Sequence, residues 1–133
     1  MGYRSSVVCL MYGNNDIGDN TIVKEFVRAR VDAYASEKGE AVKYVTDAFY
    51  YDGWGVKFEC QDWKWYDSYP DIIFLEELFE EFEELLIGNQ DTSYGLEFVR
   101  VGEEIEDIEQ RYRGSIEGRL NVDRTIYVDG DIV

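Results

Sequence analysis

The hydrophobic positions change their spacing along the chain, and each spacing predicts a different element. Residues 7–12 form a continuous apolar run, which predicts a strand buried on both faces. Asp19 or Asn20 can then cap a helix in which apolar residues recur every three or four positions until Gly39. The chain therefore begins with a central strand followed by an amphipathic helix.

A β-hairpin is predicted next. Residues 41–51 are rich in β-branched and aromatic side chains, and residues 56–60 alternate strictly between apolar and polar positions. Two glycines lie in the intervening segment 52–55, as expected of a tight connection between paired strands.

The alternation changes phase near Gln61, as it does at a β-bulge or a strand end. Trp63 and Trp65 are therefore predicted to point away from the sheet face that carries Phe58 and Cys60. They would face a second layer or solvent.

The clearest helical pattern follows Ser68, a good capping residue, and Pro70, which the first turn tolerates. Gly88 is the predicted stop. The apolar stripe of this helix comprises Ile72, Leu75, Leu78, Phe79, Phe82, Leu85 and Leu86.

The opposite face of the same helix is uniformly acidic, with Glu76, Glu77, Glu80, Glu81, Glu83 and Glu84. No lysine or arginine lies four residues further on to pair with any of them. We therefore expect uncompensated glutamates whose mutual repulsion costs a few tenths of a kcal/mol, about 0.2–0.5, for each pair at this spacing. Retention of such a face favours a role in binding.

Three further segments complete the predicted fold. Residues 96–101 read as a strand, residues 102–110 as an acidic loop or single turn, and residues 119–128 as one or two terminal strands. The order β-α-β-β-α-β predicts a ferredoxin-like α+β fold, an antiparallel sheet with two helices on one face, plus an extra C-terminal β-segment. A length of 133 residues predicts one domain over 1–133.

Charge is concentrated in the middle of the chain. Residues 67–109 hold fifteen acidic residues and one basic residue, a net charge of −14. This segment therefore carries most of the net charge of −16 of the whole chain. A localised negative field attracts a cationic partner and repels nucleic acid. The predicted partner is therefore a protein with a basic, nucleic-acid-binding surface, with no direct binding to nucleic acid or membrane.

The composition argues against an enzyme. The chain has no histidine, which removes the commonest general base and metal ligand, and its glycines do not form a phosphate-binding loop. We predict no catalytic residue, no cofactor and no metal. Cys9 and Cys60 lie in apolar runs and are interpreted as small buried hydrophobes rather than a disulfide. Without a signal-peptide pattern or a membrane-length apolar stretch, we expect a soluble cytoplasmic protein.

The candidate partner-binding residues fall into two sets. Carboxylates would act as phosphate surrogates, and aromatic residues beside them would anchor the rim. The carboxylates are Glu76, Glu77, Glu80, Glu81, Glu83, Glu84, Glu103, Glu104, Glu106 and Asp107, and the aromatic residues are Trp63, Trp65 and Tyr66.

Three short motifs carry a resemblance to a group of known proteins. Residues 1–7, the aromatic stretch 63–70 before the acidic helix, and residues 98–103 before the acidic turn together resemble small acidic proteins of bacteriophages and prophages. In composition the chain is similar to DNA-mimic inhibitors of restriction and CRISPR enzymes. The resemblance implies expression inside a bacterial host and an anti-defence role, and it transfers no catalytic residue.

The function expected from these observations is non-catalytic inhibition. The protein would block a basic nucleic-acid-binding groove of a host or defence enzyme, of CRISPR or restriction type, by DNA mimicry. Two alternatives stay open: an immunity-type or regulatory protein that neutralises a basic toxin or effector without mimicry, and a virion or assembly component.

Overall fold

The computed structural model describes residues 3–13, 17–88, 94–115, 118, 120–122 and 126–128. Its strands are β1 (Ser5–Tyr12), β2 (Phe49–Asp52), β3 (Gly55–Trp63), β4 (Gly95–Gly102), β5 (Ile108–Gly114), β6 (Leu120–Val122) and β7 (Ile126–Val128). Its helices are α1 (Ile17–Lys38), α2 (Lys43–Thr46) and α3 (Pro70–Phe82), with a 3₁₀ turn at Gly39–Val42 and a π-helical turn at Glu83–Ile87.

A five-stranded antiparallel sheet forms the centre of the molecule, in the order β2-β3-β1-β4-β5. β1 lies in the middle, where Val8 pairs with Glu59 on one side and with Val99 on the other. The continuous apolar run of β1 is buried on both faces, as its sequence predicts. The predicted α+β class, with an antiparallel sheet and two long helices, is confirmed.

Both long helices pack on one face of the sheet. Alternate residues of β1 point to this face because side chains on a strand alternate between its two sides. The layer between sheet and helices includes Val7, Cys9 and Met11 of β1, Val56, Phe58 and Cys60 of β3, Leu96 and Phe98 of β4, Val23, Val27 and Val31 of α1, and Ile72, Leu75, Leu78, Phe79 and Phe82 of α3.

The opposite face of the sheet has its own apolar cluster, to which β6 contributes Leu120. Glu97 of β4 is fully buried in this region. Its carboxylate accepts a hydrogen bond from the Tyr12 hydroxyl at 2.5 Å and another from the Leu120 backbone N–H at 3.1 Å. This buried carboxylate therefore links the predicted C-terminal β-segment to the sheet. Positions 119 and 123–125 of that segment lie outside the described residues.

The strand predicted from residue 41 is wrong over its first part. Gly39, at φ 70°, ends α1, and the 3₁₀ turn and α2 follow. Val42, Val45 and Ala48 are buried at a spacing of three, so one side of a short helical segment faces the core. Burial of that side outweighs the local β-propensity of the sequence.

β5 was not predicted as a strand. Of the loop predicted for residues 102–110, only residues 103–107 form a turn. The chain then pairs with β4, so that Arg111 lies opposite Phe98. β5 is a partly exposed edge strand rich in polar residues. Its sequence therefore lacks the apolar alternation of a buried strand.

The helix starts also differ from the predicted caps. α1 begins at Ile17, and the Asn20 side chain instead accepts a hydrogen bond from the Gly13 N–H at 2.8 Å. α3 begins at Pro70, directly after Tyr69, so Ser68 lies outside the helix. None of the helices in the described residues is long and apolar enough to cross a membrane.

Candidate functional site: the acidic face of α3 and the pocket beside its first turn

A row of exposed residues runs along the outer face of α3 and continues into the π-helical turn that follows it. Ile73, Glu77, Glu80 and Glu84 are exposed and follow one another at spacings of four, three and four residues. Such spacings place side chains on one face of a helix. We name Glu77, Glu80 and Glu84 the glutamate stripe. The buried face behind it matches the predicted apolar stripe except at Leu85, which is exposed.

On one side of the glutamate stripe, arginines of β5 pair with two acidic residues of the helix. Arg111 Nη2 lies 2.7 Å from Glu76 Oε1, and Arg113 Nε lies 2.9 Å from Glu83 Oε1. These contacts join residues far apart in sequence, so spacing along the helix could not reveal them.

On the other side, α1 supplies a third pairing. Arg30 donates to Glu81 from both Nε, at 3.0 Å, and Nη2, at 2.9 Å. The same guanidinium lies over the Phe26 ring, 3.7 Å from its centroid. The expectation that all six glutamates are uncompensated is therefore wrong for Glu76, Glu81 and Glu83, because the tertiary fold brings arginines to both sides of α3.

Arg111 is the most deeply embedded of these arginines. Its guanidinium lies 3.9 Å from the centre of the Phe98 ring and also approaches Glu109, with Nε 3.1 Å from Oε2. Burial acts to lower the pKa of Arg111, but the hydrogen bond to Glu76 and the charges of Glu76 and Glu109 together outweigh it, and the pKa is raised. Arg111 therefore stays charged and holds α3 against β5.

The centre of the acidic face is not neutralised in this way. Glu77 and Glu80 form no ion pair with any residue in the described part of the chain. A groove of about 250 Å³ lies beside them, lined by Asp67, Ile72, Ile73, Glu76, Glu77 and Glu80. An acidic groove with apolar residues in its wall can receive a basic, partly apolar ligand.

The acidic turn at residues 103–107 is also tied into the fold. Asp107 pairs with Arg100 at 2.8 Å and accepts a hydrogen bond from the Tyr3 hydroxyl at 2.5 Å. Glu103 accepts a hydrogen bond from the Arg4 backbone N–H at 2.5 Å. The exposed acidic side chains of the turn are Glu103, Glu104 and Glu106.

The acidic turn and the glutamate stripe are positioned by different elements. The turn follows the Gly102 end of β4 and contacts the N-terminal segment, where the Tyr3 N–H donates to the Tyr66 hydroxyl at 2.6 Å. The stripe extends along α3 towards its C-terminal end. A partner that binds all ten predicted carboxylates must therefore contact both the end of the sheet and the side of the helix layer.

Trp63 and Trp65 do not point away from Phe58 as predicted. Both contact its ring on the helix side of the sheet, with centroid distances of 5.8 and 6.1 Å. Gln61 and Asp62 together face a single residue of β1, and Asp62 has a φ of 57°. The predicted bulge is present, and the extra residue restores the phase of the strand. Both tryptophans therefore belong partly to the core.

The three predicted anchor residues have different surroundings. Trp65 packs against Phe98, at a centroid distance of 6.3 Å, and the Tyr66 ring lies edge-on to Tyr69 at 5.1 Å. Trp63 lines an open cavity. Its ring lies 4.9 Å from that of Tyr44 on α2.

This cavity, which we name the aromatic pocket, has a volume of about 260 Å³. It opens beside the first turn of α3 and is lined by Arg4, Tyr44, Asp62, Trp63, Lys64, Tyr69, Asp71 and Ile72. Tyr44 and Asp71 were not among the predicted site residues. Tyr44 was missed because its segment was predicted as a strand, and only the tertiary fold places α2 beside α3.

Asp71 is the polar centre of the aromatic pocket. Its two carboxylate oxygens accept hydrogen bonds from the hydroxyls of Tyr34 and Tyr44. Burial and this hydrogen bonding raise the pKa of Tyr44 to about 12 and also raise the pKa of Tyr34. Both hydroxyls therefore remain donors at neutral pH and hold the carboxylate in one orientation.

Nucleophilic chemistry has little support from the thiols. Cys9 and Cys60 are free and buried. Burial raises the pKa of Cys60 to about 12, and it raises the pKa of Cys9 well above its ordinary value. Thiols of this kind are poor nucleophiles because the reactive thiolate is scarce.

Comparison of the chain with family models, with curated proteins and with solved structures found no match. Function therefore has to be inferred from the geometry of the acidic face and the aromatic pocket.

Proposed function

We propose that this protein is a non-catalytic inhibitor, encoded by a phage and acting in the cytoplasm of the bacterial host. Its acidic face would occupy a basic nucleic-acid-binding groove of a host or defence enzyme of CRISPR or restriction type. The observation that carries the proposal is the glutamate stripe, whose members Glu77 and Glu80 face outward between arginine-paired flanks.

The spacing of the stripe supports DNA mimicry over a short distance. Glu77 and Glu80 are three residues apart, which is about 4.5 Å along a helix axis. The phosphates of one DNA strand recur about every 3.4 Å of axis, so the stripe resembles a few phosphates rather than a full turn of duplex. The buried residues Leu78, Phe79 and Phe82 hold the helix against the sheet. A rigid charged surface loses less entropy on binding than a flexible one.

One observation favours the second candidate, an immunity-type or regulatory protein that does not imitate DNA. Ile73 is 43% exposed and lines the acidic groove together with Glu77. A phosphate surrogate has no need of an apolar contact, whereas a protein interface commonly combines one with surrounding charge.

We also propose that the fold is a ferredoxin-like arrangement extended at one edge. The position of β1 between β3 and β4, with β2 outside β3, supports this assignment. α1 follows β1, and α3 follows β3, as the arrangement requires. β5 would be the additional edge strand.

A pull-down from bacterial lysate, with elution by duplex DNA, tests the proposed function. The parent protein should retain a nucleic-acid-binding protein that DNA releases, and this binding should weaken steeply between about 50 and 200 mM salt. The double variant Glu77→Lys/Glu80→Lys should lose the partner because steering and direct charge contacts are removed.

Glu25→Lys/Glu40→Lys is the matched control. It makes the same change of charge at exposed positions on α1 and on the 3₁₀ turn rather than on the glutamate stripe. Equal retention by both double variants, or a partner that DNA does not displace, would contradict mimicry by the glutamate stripe.

A further inference from the structure

The aromatic pocket and the acidic groove are neighbours on the same surface. Ile72 lines both cavities, and Tyr69 of the pocket lies one helical turn before Ile73 of the groove. A ligand bound along α3 can therefore reach both. Their chemistry differs, because the groove offers carboxylates and the pocket adds three aromatic side chains.

The aromatic pocket suits a flat cation. Tyr44 is 51% exposed and Tyr69 is 41% exposed, so both rings are accessible beside Trp63. A guanidinium group stacks on aromatic faces and pairs with a carboxylate through parallel N–H donors. Asp71, held by Tyr44 and Tyr34, supplies a carboxylate beside those rings. A lysine ammonium is compact and strongly hydrated, and it makes neither contact as well.

The charge around the pocket favours a cation over a phosphate. Arg4 and Lys64 balance Asp62 and Asp71 within the lining itself, and Arg4 Nη1 donates to the Asp62 carbonyl at 2.9 Å. The adjoining groove makes the local charge negative, because all of its titratable lining residues among those described are acidic. A phosphate that approached along α3 would be repelled by them.

We propose that the aromatic pocket binds an arginine side chain of the protein partner, while neighbouring basic residues of that partner lie along the groove. This inference rests on the proposed function, since it requires a basic protein ligand on the acidic face. It adds a specific requirement, namely that the partner presents arginine rather than lysine at the first turn of α3.

Two labelled peptides of equal length and equal positive charge test the inference, one built on lysine and one with arginine at each of the same positions. Fluorescence anisotropy at low salt should show the arginine peptide binding about tenfold more tightly to the parent protein. Tyr69→Ala and Asp71→Asn should each reduce this preference to about twofold or less, because stacking or pairing is lost. Both variants should weaken the arginine peptide more than the lysine peptide, whose remaining affinity reports that the groove is intact.

Tyr50→Ala is the matched control. Tyr50 is 46% exposed, a fraction similar to that of Tyr69. It lies on the edge strand β2, however, and its loss should not affect the preference for the arginine peptide. Equal affinity of the parent for both peptides, or a preference that survives in both pocket variants, would overturn the arginine assignment and leave the groove as the binding surface. Displacement of the arginine peptide by a nucleoside monophosphate would overturn it in favour of a phosphate site. Failure of both peptides to bind would contradict the proposed function itself.

Discussion

Arg111→Ala should destabilise the protein by about 2 kcal/mol, summed from the contacts of its guanidinium and stem. Its stacking on Phe98, at 3.9 Å, contributes about 0.5–1 kcal/mol. The ion pairs with Glu76 and Glu109 contribute about 0.2–1 kcal/mol each, discounted because the carboxylates are 33% and 41% exposed. The aliphatic stem that covers the ring accounts for the remainder.

Urea melts of the parent, Arg111→Ala and Arg113→Ala should measure this loss. The comparison separates the stacking and burial of Arg111 from the effect of losing an arginine charge. Arg113 pairs with Glu83 at 2.9 Å but is 53% exposed, so its loss should cost less than about 1 kcal/mol. Arg111→Met keeps an apolar stem over Phe98 and should recover part of the loss. A smaller loss for Arg111→Ala than for Arg113→Ala would refute the assignment of Arg111 as the link between α3 and β5.

Three further outcomes are expected in the same urea assay. Glu80→Lys should change stability by less than about 0.5 kcal/mol and Phe82→Ala should cost about 3–5 kcal/mol; the reverse order would mean that the faces of α3 are assigned wrongly. Tyr12→Phe should cost about 1–3 kcal/mol, because the buried Glu97 carboxylate loses a donor, and a neutral result would contradict that hydrogen bond. Burial raises the pKa of Cys60 from 9.0 to about 12. The contribution of this protonated thiol to folding stability is therefore complete below pH 9 and is lost between pH 9 and about 12. Between pH 7 and pH 10 the free energy of unfolding of Cys60→Ala should therefore fall by about 1 kcal/mol less than that of the parent, whereas equal losses would show that the thiol is accessible.

Residue order alone predicts the elements whose burial is strong and regular. The run at residues 7–12 predicted the central strand because both of its faces are apolar, and the spacing from Ile72 to Phe82 predicted the buried side of α3. It also located the excess of negative charge. These properties follow from residue order along one element, so no distant contact is needed to infer them.

Which acidic side chains pair with an arginine depends on contacts between elements that are distant in the sequence. Arg30 and Arg111 are distant from α3 in sequence, and packing of α1 and β5 beside that helix neutralises its flanks. The bulge at Asp62 likewise returned Trp63 to the helix side of the sheet, where Tyr44 completes the aromatic pocket. Charge pairing and cavity formation depend on which elements become neighbours, and periodicity within an element carries no information about its neighbours.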